Sequence, residues 1–268
     1  MNIQGKRVLI TGGSSGIGLS IARAMLPGGA SVVITGRNQD RLMQASAALR
    51  AEGFAITTVS ADVATDEGRR QSLEAAVDAL GGLDILVNNA GGVRAGRLEN
   101  TSEDEIRSMV EVDLVAPILL TQAALPYLRA SGDGLVVNVT SGIALVGLPF
   151  YATYAAVKAG LARFGESLRR ELKGEGVHVL TLYPGATDTP MMKSSKAGPD
   201  VGFNKEPAEH VAEALVAGIG NDAFEVVRGG EKRAEMVALN RSDPAALDER
   251  FLSLKVALEE AVRDHSAL

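Results

Sequence analysis

The stretch Thr11-Gly12-Gly13-Ser14-Ser15-Gly16-Ile17-Gly18 decides the fold class of this 268-residue chain. It connects a strand-like run at residues 7–11 to a segment of helical period at residues 17–26. Glycines in such a turn let the backbone approach a pyrophosphate closely, and the start of the helix supplies unpaired N–H groups. The unit therefore predicts a dinucleotide site contacted by Gly12, Ser14, Ser15, Gly16, Ile17 and Gly18.

Strand-like and helix-like segments alternate along the rest of the chain. Buried strands are predicted at residues 7–11, 31–35, 56–60, 84–87, 134–139 and 177–182, and a seventh at 224–228. Helices are predicted at 17–26, 41–52 and 69–80, and Ser102 with Glu105 has the pattern of a capping box that opens a long helix. The alternation predicts an α/β fold: a doubly wound, Rossmann-type three-layer αβα sandwich with a mostly parallel sheet of about seven strands. No repeat or linker interrupts it, so residues 1–268 are predicted to form one domain.

Composition excludes several classes of function. The net charge of −6 disfavours a nucleic-acid partner, because phosphate binding needs a positive face. The absence of cysteine excludes disulfides and thiolate chemistry, and the three scattered histidines predict no metal site. The most apolar stretch, 114–128, is interrupted by proline and polar residues, and no signal peptide is visible, so no membrane span and a cytoplasmic location are expected.

The end of the second strand predicts which nicotinamide cofactor binds. An Asp or Glu there would hold the ribose 2′-hydroxyl of NAD, but the chain has Gly36-Arg37-Asn38. The Arg37 guanidinium is able to bind a 2′-phosphate through paired hydrogen bonds. Arg37 and Asn38 are therefore assigned to the cofactor and NADP(H) is preferred, with NAD(H) and a surface role for Arg37 as the alternatives.

Tyr154 and Lys158 carry the predicted chemistry. They lie one turn apart on a predicted helix and so share a face. A free phenol has a pKa near ~10, and a neighbouring ammonium lowers that pKa toward the range of proton exchange. Ser141 follows a buried strand at the edge where ligands bind in open α/β sheets, and its hydroxyl can hydrogen-bond an oxygen on which charge develops.

Taken together, these motifs resemble the short-chain dehydrogenase/reductase family, in the branch of shorter sequences. The resemblance covers about three quarters of the chain, in the family's order. Besides the glycine turn, Ser141, Tyr154 and Lys158, the matching pieces are Asp62-Val63, Asn88-Asn89-Ala90-Gly91 and Pro184-Gly185 followed by Thr189.

The resemblance implies a role for each matching residue. Tyr154 would be the general acid/base, Ser141 would polarise the carbonyl, and Lys158 would bind the nicotinamide ribose and lower the Tyr154 pKa. Cofactor contacts would come from Asp62 and Val63 at the adenine, Asn89, Ala90 and Gly91 near the adenosine ribose, Pro184 and Gly185 after a strand, and Thr187 and Thr189 at the carboxamide.

Three departures from the family's pattern leave alternatives open. Asp113 stands where the family usually has an Asn in a proton relay, so either the relay is altered or Asp113 takes the same place with little consequence. Tyr151 has the wider Tyr–Lys spacing of related enoyl reductases, and we interpret it as a wall of the substrate pocket, with core packing as the alternative. The chain continues beyond Gly229-Gly230, where many tetrameric relatives end, so the usual tetramer contact stays open. A homo-oligomer is expected, either a dimer or a tetramer, and a tail that covers the chain's own surface is the alternative.

The substrate is predicted only by class. Residues 187–207 have no clear period and are interpreted as a substrate lid carrying Met191, and 244–264 as an amphipathic helix that covers the chain's own core or an oligomer contact. The apolar run 142–150 favours an apolar carbonyl or alcohol, whereas Lys193 and Lys196 could also meet an anion. The leading hypothesis is NADP(H)-dependent ketone or 3-oxoacyl reduction; the alternatives are a redox sensor with little catalysis and a lyase or epimerase.

Overall fold

Alternating burial along the strands builds the layers of the fold. Val8 and Ile10 of the first strand lie in one apolar cluster, whereas Leu9 between them lies in another. Successive side chains of a strand point to opposite faces, so a strand that is apolar throughout needs cover on both sides. In this computed structural model, which describes residues 1–268, helices provide that cover on both faces.

The main sheet has seven strands, all paired in parallel, in the order β10-β7-β6-β4-β1-β2-β3. This confirms the predicted Rossmann-type architecture. Four two-residue strands form two small additional sheets, β5 with β11 and β8 with β9. The strands are β1 (Arg7–Ile10), β2 (Ser31–Gly36), β3 (Thr57–Ser60), β4 (Ile85–Asn88), β5 (Val93–Arg94), β6 (Gly134–Val139), β7 (Val177–Tyr183), β8 (Thr187–Asp188), β9 (Glu206–Pro207), β10 (Glu225–Val227) and β11 (Ser266–Ala267).

Nine α-helices connect and cover the strands. They are α1 (Gly16–Met25), α2 (Gln39–Ala51), α3 (Asp66–Leu80), α4 (Glu103–Val110), α5 (Ala116–Ala130), α6 (Ala152–Glu171), α7 (Ala208–Gly220), α8 (Gly230–Ser242) and α9 (Pro244–Val262). Helices α1, α2 and α7 cover one face of the sheet, and α3, α5 and α6 cover the other. The predicted capping box at Ser102 and Glu105 is present at the start of α4.

Two regions differ from the sequence-based expectation. Residues 187–207, predicted without regular structure, contain β8, β9 and two 3₁₀ turns. Helix α8 was not predicted, because its apolar residues follow no stripe and none of its side chains is buried. The predicted C-terminal helix is present as α9, and its Leu258 packs on the chain's own residues Val93 and Tyr151.

Helices α4 and α5 form one continuous helical run, Glu103–Ala130, through a π-helical turn at Glu111–Val115. Its length and composition would suffice to cross a membrane, but core helices satisfy the same criterion. Here the run packs against α3, α6 and the sheet, and it places buried Asp113 inside the protein. Packing thus covers part of this run, with 39% of an 18-residue apolar stretch buried. Single π turns inside α-helices often occur at functional sites.

An ion pair at the amino ends of β1 and β4, opposite to the glycine turn, stabilises the first strand. Asp84 accepts hydrogen bonds from the Arg7 backbone N–H at 2.7 Å, from Nε at 2.8 Å and from Nη2 at 2.9 Å. Burial alone would raise the pKa of Asp84, but the hydrogen bonds and charge of Arg7 outweigh it and hold the pKa below its usual value. The folded state thus favours the ionised carboxylate.

Replacing Asp84 with Asn is expected to lower the free energy of unfolding at pH 7 by about 1.5–3 kcal/mol, the worth of hydrogen bonds to a charged group. Because the folded-state pKa is depressed, this stabilisation is complete above the unfolded pKa of ~4 and is lost as the pH falls through the folded pKa. Urea unfolding at pH 7 and pH 3 measures both effects. Glu103→Gln, which breaks an exposed pair with Arg107, is the control and should cost under ~0.5 kcal/mol. An equal loss at both pH values would contradict the prediction.

Candidate active site

The carboxyl ends of the central strands bring the predicted site residues to one edge of the sheet. The glycine turn follows β1, Asn89 follows β4, Ser141 follows β6 and Pro184 follows β7. These strands are parallel neighbours, so the loops that leave them lie side by side. The edge borders a cavity of about 760 Å³ whose walls include Ile17, Ser141, Tyr151, Tyr154 and Met191.

Close packing explains why the turn after β1 requires glycine. Gly12 and Gly16 have φ angles of +64° and +54°, which favour glycine. A Cβ on Gly18 would lie 2.4 Å from Nδ2 of Asn89, which donates to the carbonyl oxygens of Thr11 at 2.9 Å and Gly12 at 3.1 Å. The Asn89 side chain therefore fixes the turn after β1 to the loop after β4. This structural task was missed by sequence reasoning, which assigned Asn89 only to the ribose.

The start of α1 fits the pyrophosphate of a dinucleotide. Its N-cap residue, Ser15, makes no side-chain capping hydrogen bond, so no side chain competes for the N–H groups of the first turn. The helix dipole adds a partial positive charge at this end. Thr189 packs beside Gly16, since a Cβ there would meet the Thr189 side chain at 3.2 Å. The donors and the close backbone are those that a bound phosphate group requires.

Beyond the end of β2, Arg37 is exposed and its side chain makes no hydrogen bond or ion pair within the chain. Ser14 lies against this strand end, because a Cβ on Gly36 would lie 3.1 Å from its Oγ. Asn38 caps α2, its Oδ1 accepting from the Arg41 N–H at 2.9 Å. A guanidinium and a hydroxyl thus lie near the carboxyl end of β2.

Other predicted cofactor residues hold the loops around this edge. Asp62 Oδ1 accepts from the Ala64 N–H at 3.0 Å, and Val63 is buried beside it. The Pro184 carbonyl accepts from the Gly142 N–H at 2.7 Å, which joins the loops after β7 and β6. Thr187 is buried and its Oγ1 donates to the Gly185 carbonyl at 3.1 Å.

Lys158 lies beneath the site in a buried ion pair. Its Nζ is 3.0 Å from Oδ1 of Asp113 and 3.3 Å from the Val139 carbonyl oxygen, and the two charged side chains are 5% and 0% exposed. The Gly92 N–H donates to the same carboxylate at 3.2 Å. Gly91 passes so close that a Cβ would lie 2.5 Å from Asp113 Oδ1. Both oxygens of the carboxylate therefore have a protein donor.

Tyr154 lies one helical turn from Lys158, whose Nζ is 5.8 Å from the centroid of the phenol ring. Burial raises the pKa of Tyr154, the Lys158 ammonium lowers it, and the Asp113 carboxylate raises it again. Burial would lower the pKa of Lys158, yet the carboxylate outweighs burial and the pKa is raised. Burial raises the pKa of Asp113 against the attraction of Lys158. The pKa of Tyr154 is therefore raised, not lowered toward neutrality as expected from the sequence, because burial outweighs the charge of Lys158, and the phenol is protonated at pH 7.

Tyr151 is buried beside Tyr154, with 6.3 Å between the centroids of the two tilted rings. Its ring stacks on Phe203 at 6.1 Å between centroids and meets the His265 ring edge-on at 6.2 Å. Burial lowers the pKa of His265 to about 4, so this ring is neutral at pH 7. Its Nδ1 lies 2.9 Å from Ser194 Oγ, which ties the chain end to residues 187–207. Phe203 and His265 line the cavity. No sequence pattern predicted this, because their position depends on how two distant segments fold together.

Comparison with known proteins decides the family. The family model for short chain dehydrogenases matches residues 6–200. The chain belongs to the short chain dehydrogenase family. The seven-stranded fold and the oxidoreductase class predicted from the sequence are thereby confirmed.

Three known proteins are similar to this chain over most of its length. The ketoacyl reductase HetN of Nostoc sp. is 32% identical over 252 residues, 92% of this chain and 88% of the relative. A short chain dehydrogenase of Burkholderia cenocepacia, solved in complex with NADP, has a TM-score of 0.74 at 36% identity and covers 82% of this chain and 91% of its own. The 3-ketoacyl-(acyl-carrier-protein) reductase of Brucella melitensis, complexed with NADH, has a TM-score of 0.79 at 26% identity over 86% and 99% of the two chains.

Proposed function

We propose that this member of the family is an NADP(H)-dependent oxidoreductase that interconverts a ketone, or a 3-oxoacyl group, and a secondary alcohol. The observation that carries the proposal is the meeting of Ser141 and Tyr154 in the wall of one cavity, with buried Lys158 one helical turn from Tyr154. A phenol and a hydroxyl at one wall can both reach a single carbonyl oxygen. The named relatives support this class of reaction, since one is a ketoacyl reductase.

Each residue of the site has a distinct task in this proposal. The cofactor, when bound, supplies or accepts the hydride at the substrate carbon. Tyr154 donates its proton to the carbonyl oxygen during reduction and takes it back during oxidation. Ser141 donates a hydrogen bond to the same oxygen as negative charge develops on it. Lys158 stabilises the phenolate that forms after proton transfer.

The substrate is expected to be mainly apolar around its carbonyl. Met191 lines the cavity together with Ile143, Leu148 and Phe251. Lys193 and Lys196 are exposed and lie outside the cavity wall, so they do not supply an anion site there. The cytoplasmic location and the homo-oligomer stay predictions of the sequence.

Arg37 is expected to determine the preference for NADPH. Replacing it with Ala removes a charged hydrogen-bonding partner of the 2′-phosphate, so the Kd for NADPH should rise about 10- to 100-fold while the Kd for NADH stays unchanged. Titration calorimetry with each cofactor measures both constants. Arg50→Ala, which removes an exposed arginine from the far end of α2, is the matched control and should change neither.

Equal affinities of the unaltered protein for NADPH and NADH would show that Arg37 does not bind a 2′-phosphate. Binding of neither cofactor would contradict the proposed function as a whole. If NADPH binds, a panel of ketones and 3-oxoacyl compounds is assayed by the loss of NADPH absorbance. Oxidation of NADPH that depends on the added carbonyl is the expected result.

A further inference from the structure

Arg233, in the first turn of α8, lies against the loop that carries Ser141. Its Nη1 donates to the Gly142 carbonyl oxygen at 3.1 Å. The guanidinium covers this residue so closely that a Cβ on Gly142 would lie 2.6 Å from Arg233 Cζ. The chain enters α8 through Gly229, whose φ of +107° favours glycine. The backbone thus delivers a cation to the residue next to the predicted catalytic serine.

This cation has no carboxylate partner in the chain. Arg233 is half-buried and forms no ion pair, and its only side-chain hydrogen bond is to Gly142. The neighbouring arginine of the cavity wall, Arg228, is already neutralised by Glu206 at 2.6 Å. A guanidinium stays charged and offers five N–H donors in a planar fork. Desolvating such a group without a counter-charge is unfavourable, so an anion arriving at it would be held strongly.

The surface of the cavity that contains Arg233 is largely apolar. Leu148, Phe203, Leu254 and Leu258 line the same cavity. Among the other charged groups of the wall, Asp200, Lys232, Glu235 and Arg250 are exposed to solvent. A ligand in this cavity therefore meets one half-buried, unpaired cation close to Ser141, together with apolar side chains and the charged groups at the solvent-exposed part of the wall.

We infer that Arg233 is a specificity-determining residue that binds a carboxylate of the substrate. The inference rests on the proposed function, in which the reacting carbonyl lies at Ser141 and Tyr154. Gly142 directly follows Ser141, and adjacent Cα atoms are about 3.8 Å apart. The carboxylate is therefore only a few bonds from the carbonyl. The substrate class is an oxo acid, or its hydroxy acid, with an apolar remainder.

The test compares acids with their neutral esters. A series of 2-, 3- and 4-oxo acids with apolar chains, each paired with its methyl ester, is assayed with NADPH. The unaltered protein should reduce at least one acid with a kcat/KM about tenfold or more above that of its ester. Arg233→Ala should lower kcat/KM for that acid about 10- to 100-fold more than for its ester, whose rate reports any change in the Ser141 loop that Arg233 contacts. Arg233→Lys keeps the charge but not the planar set of N–H donors, so it should retain part of the preference for the acid over its ester.

Arg241→Ala is the matched control, because Arg241 lies on the same helix but is exposed and outside the cavity wall. It should leave the acid-to-ester ratio unchanged. An equal ratio in the unaltered protein and in Arg233→Ala would overturn the assignment of Arg233 while ester reduction still supports the proposed function. Failure to reduce any acid or ester despite NADPH binding would overturn both.

Discussion

Replacing Tyr154 with Phe is expected to lower kcat for carbonyl reduction at least ~10²-fold and to leave the affinity for NADPH unchanged. The substitution removes one oxygen from the cavity wall and keeps the ring that packs beside Lys158. The lost O–H is the group that would protonate the substrate oxygen. Steady-state rates with saturating NADPH, together with calorimetric binding, separate the loss of chemistry from a loss of cofactor affinity.

Tyr151→Phe is the control for this prediction. Tyr151 lies three residues earlier, and its ring is held by Phe203 and His265. A phenylalanine keeps that packing, so kcat should stay within about tenfold of the unaltered value, below the usual contribution of a general acid. Near-normal turnover in Tyr154→Phe with a large loss in Tyr151→Phe would transfer the proton-donor role to Tyr151.

The pH dependence of the two reaction directions follows from the state of Tyr154. Because burial keeps its pKa raised, the phenol is protonated at neutral pH, which is the form needed for reduction. Reduction should therefore slow as the pH rises through the pKa, and alcohol oxidation should accelerate over the same range. The nearby ammonium of Lys158 lowers the pKa of Tyr154 and so opposes the effect of burial. The pKa of Tyr154 therefore depends also on Asp113, the ion-pair partner of Lys158.

Local signals in the sequence were sufficient to predict the sheet and to bring several candidate site residues to one cavity. Buried strands are recognisable in the sequence as short apolar runs, and the positive-φ glycines of the turn after β1 form a recognisable motif. Tyr154 and Lys158 are one turn apart on α6. Such features depend on neighbours within a few residues. They predicted the parallel sheet, the glycine turn and the placement of Ser141 at the same cavity.

The missing parts of the site depend on contacts between distant segments. Asp113 was assigned to the site only through the family resemblance, because no local pattern encodes its pairing with Lys158; in the structure it lies in the π turn of the α4–α5 run, and its buried carboxylate pairs with that lysine. Arg233 meets Gly142 through the docking of α8, a helix that has no buried residue and hence no apolar stripe to reveal it. His265 reaches Ser194 only because β11 pairs with β5. These contacts form only when segments distant in the sequence pack together.

Replacing Asp113 with Ala is expected to lower the free energy of unfolding by about 3–5 kcal/mol, the cost of breaking one side of a buried ion pair. Lys158 would keep only the Val139 carbonyl as a partner, at 3.3 Å, while remaining almost inaccessible to water. The Gly92 N–H would lose its acceptor as well. Urea unfolding at pH 7 measures the loss.

Asp113→Asn separates charge from hydrogen bonding, because the amide oxygen still accepts from Lys158 and Gly92. Its loss of stability should be smaller than that of Asp113→Ala. The carboxylate raises the pKa of Tyr154, so its removal should lower that pKa and shift the pH profile of alcohol oxidation to lower pH. A loss below about 1 kcal/mol in both variants, the worth of an exposed pair, together with an unshifted profile would contradict the coupling. A shift in Asp113→Asn would instead mean that Asp113 holds Tyr154 in its protonated, proton-donating form, which biases the site toward reduction.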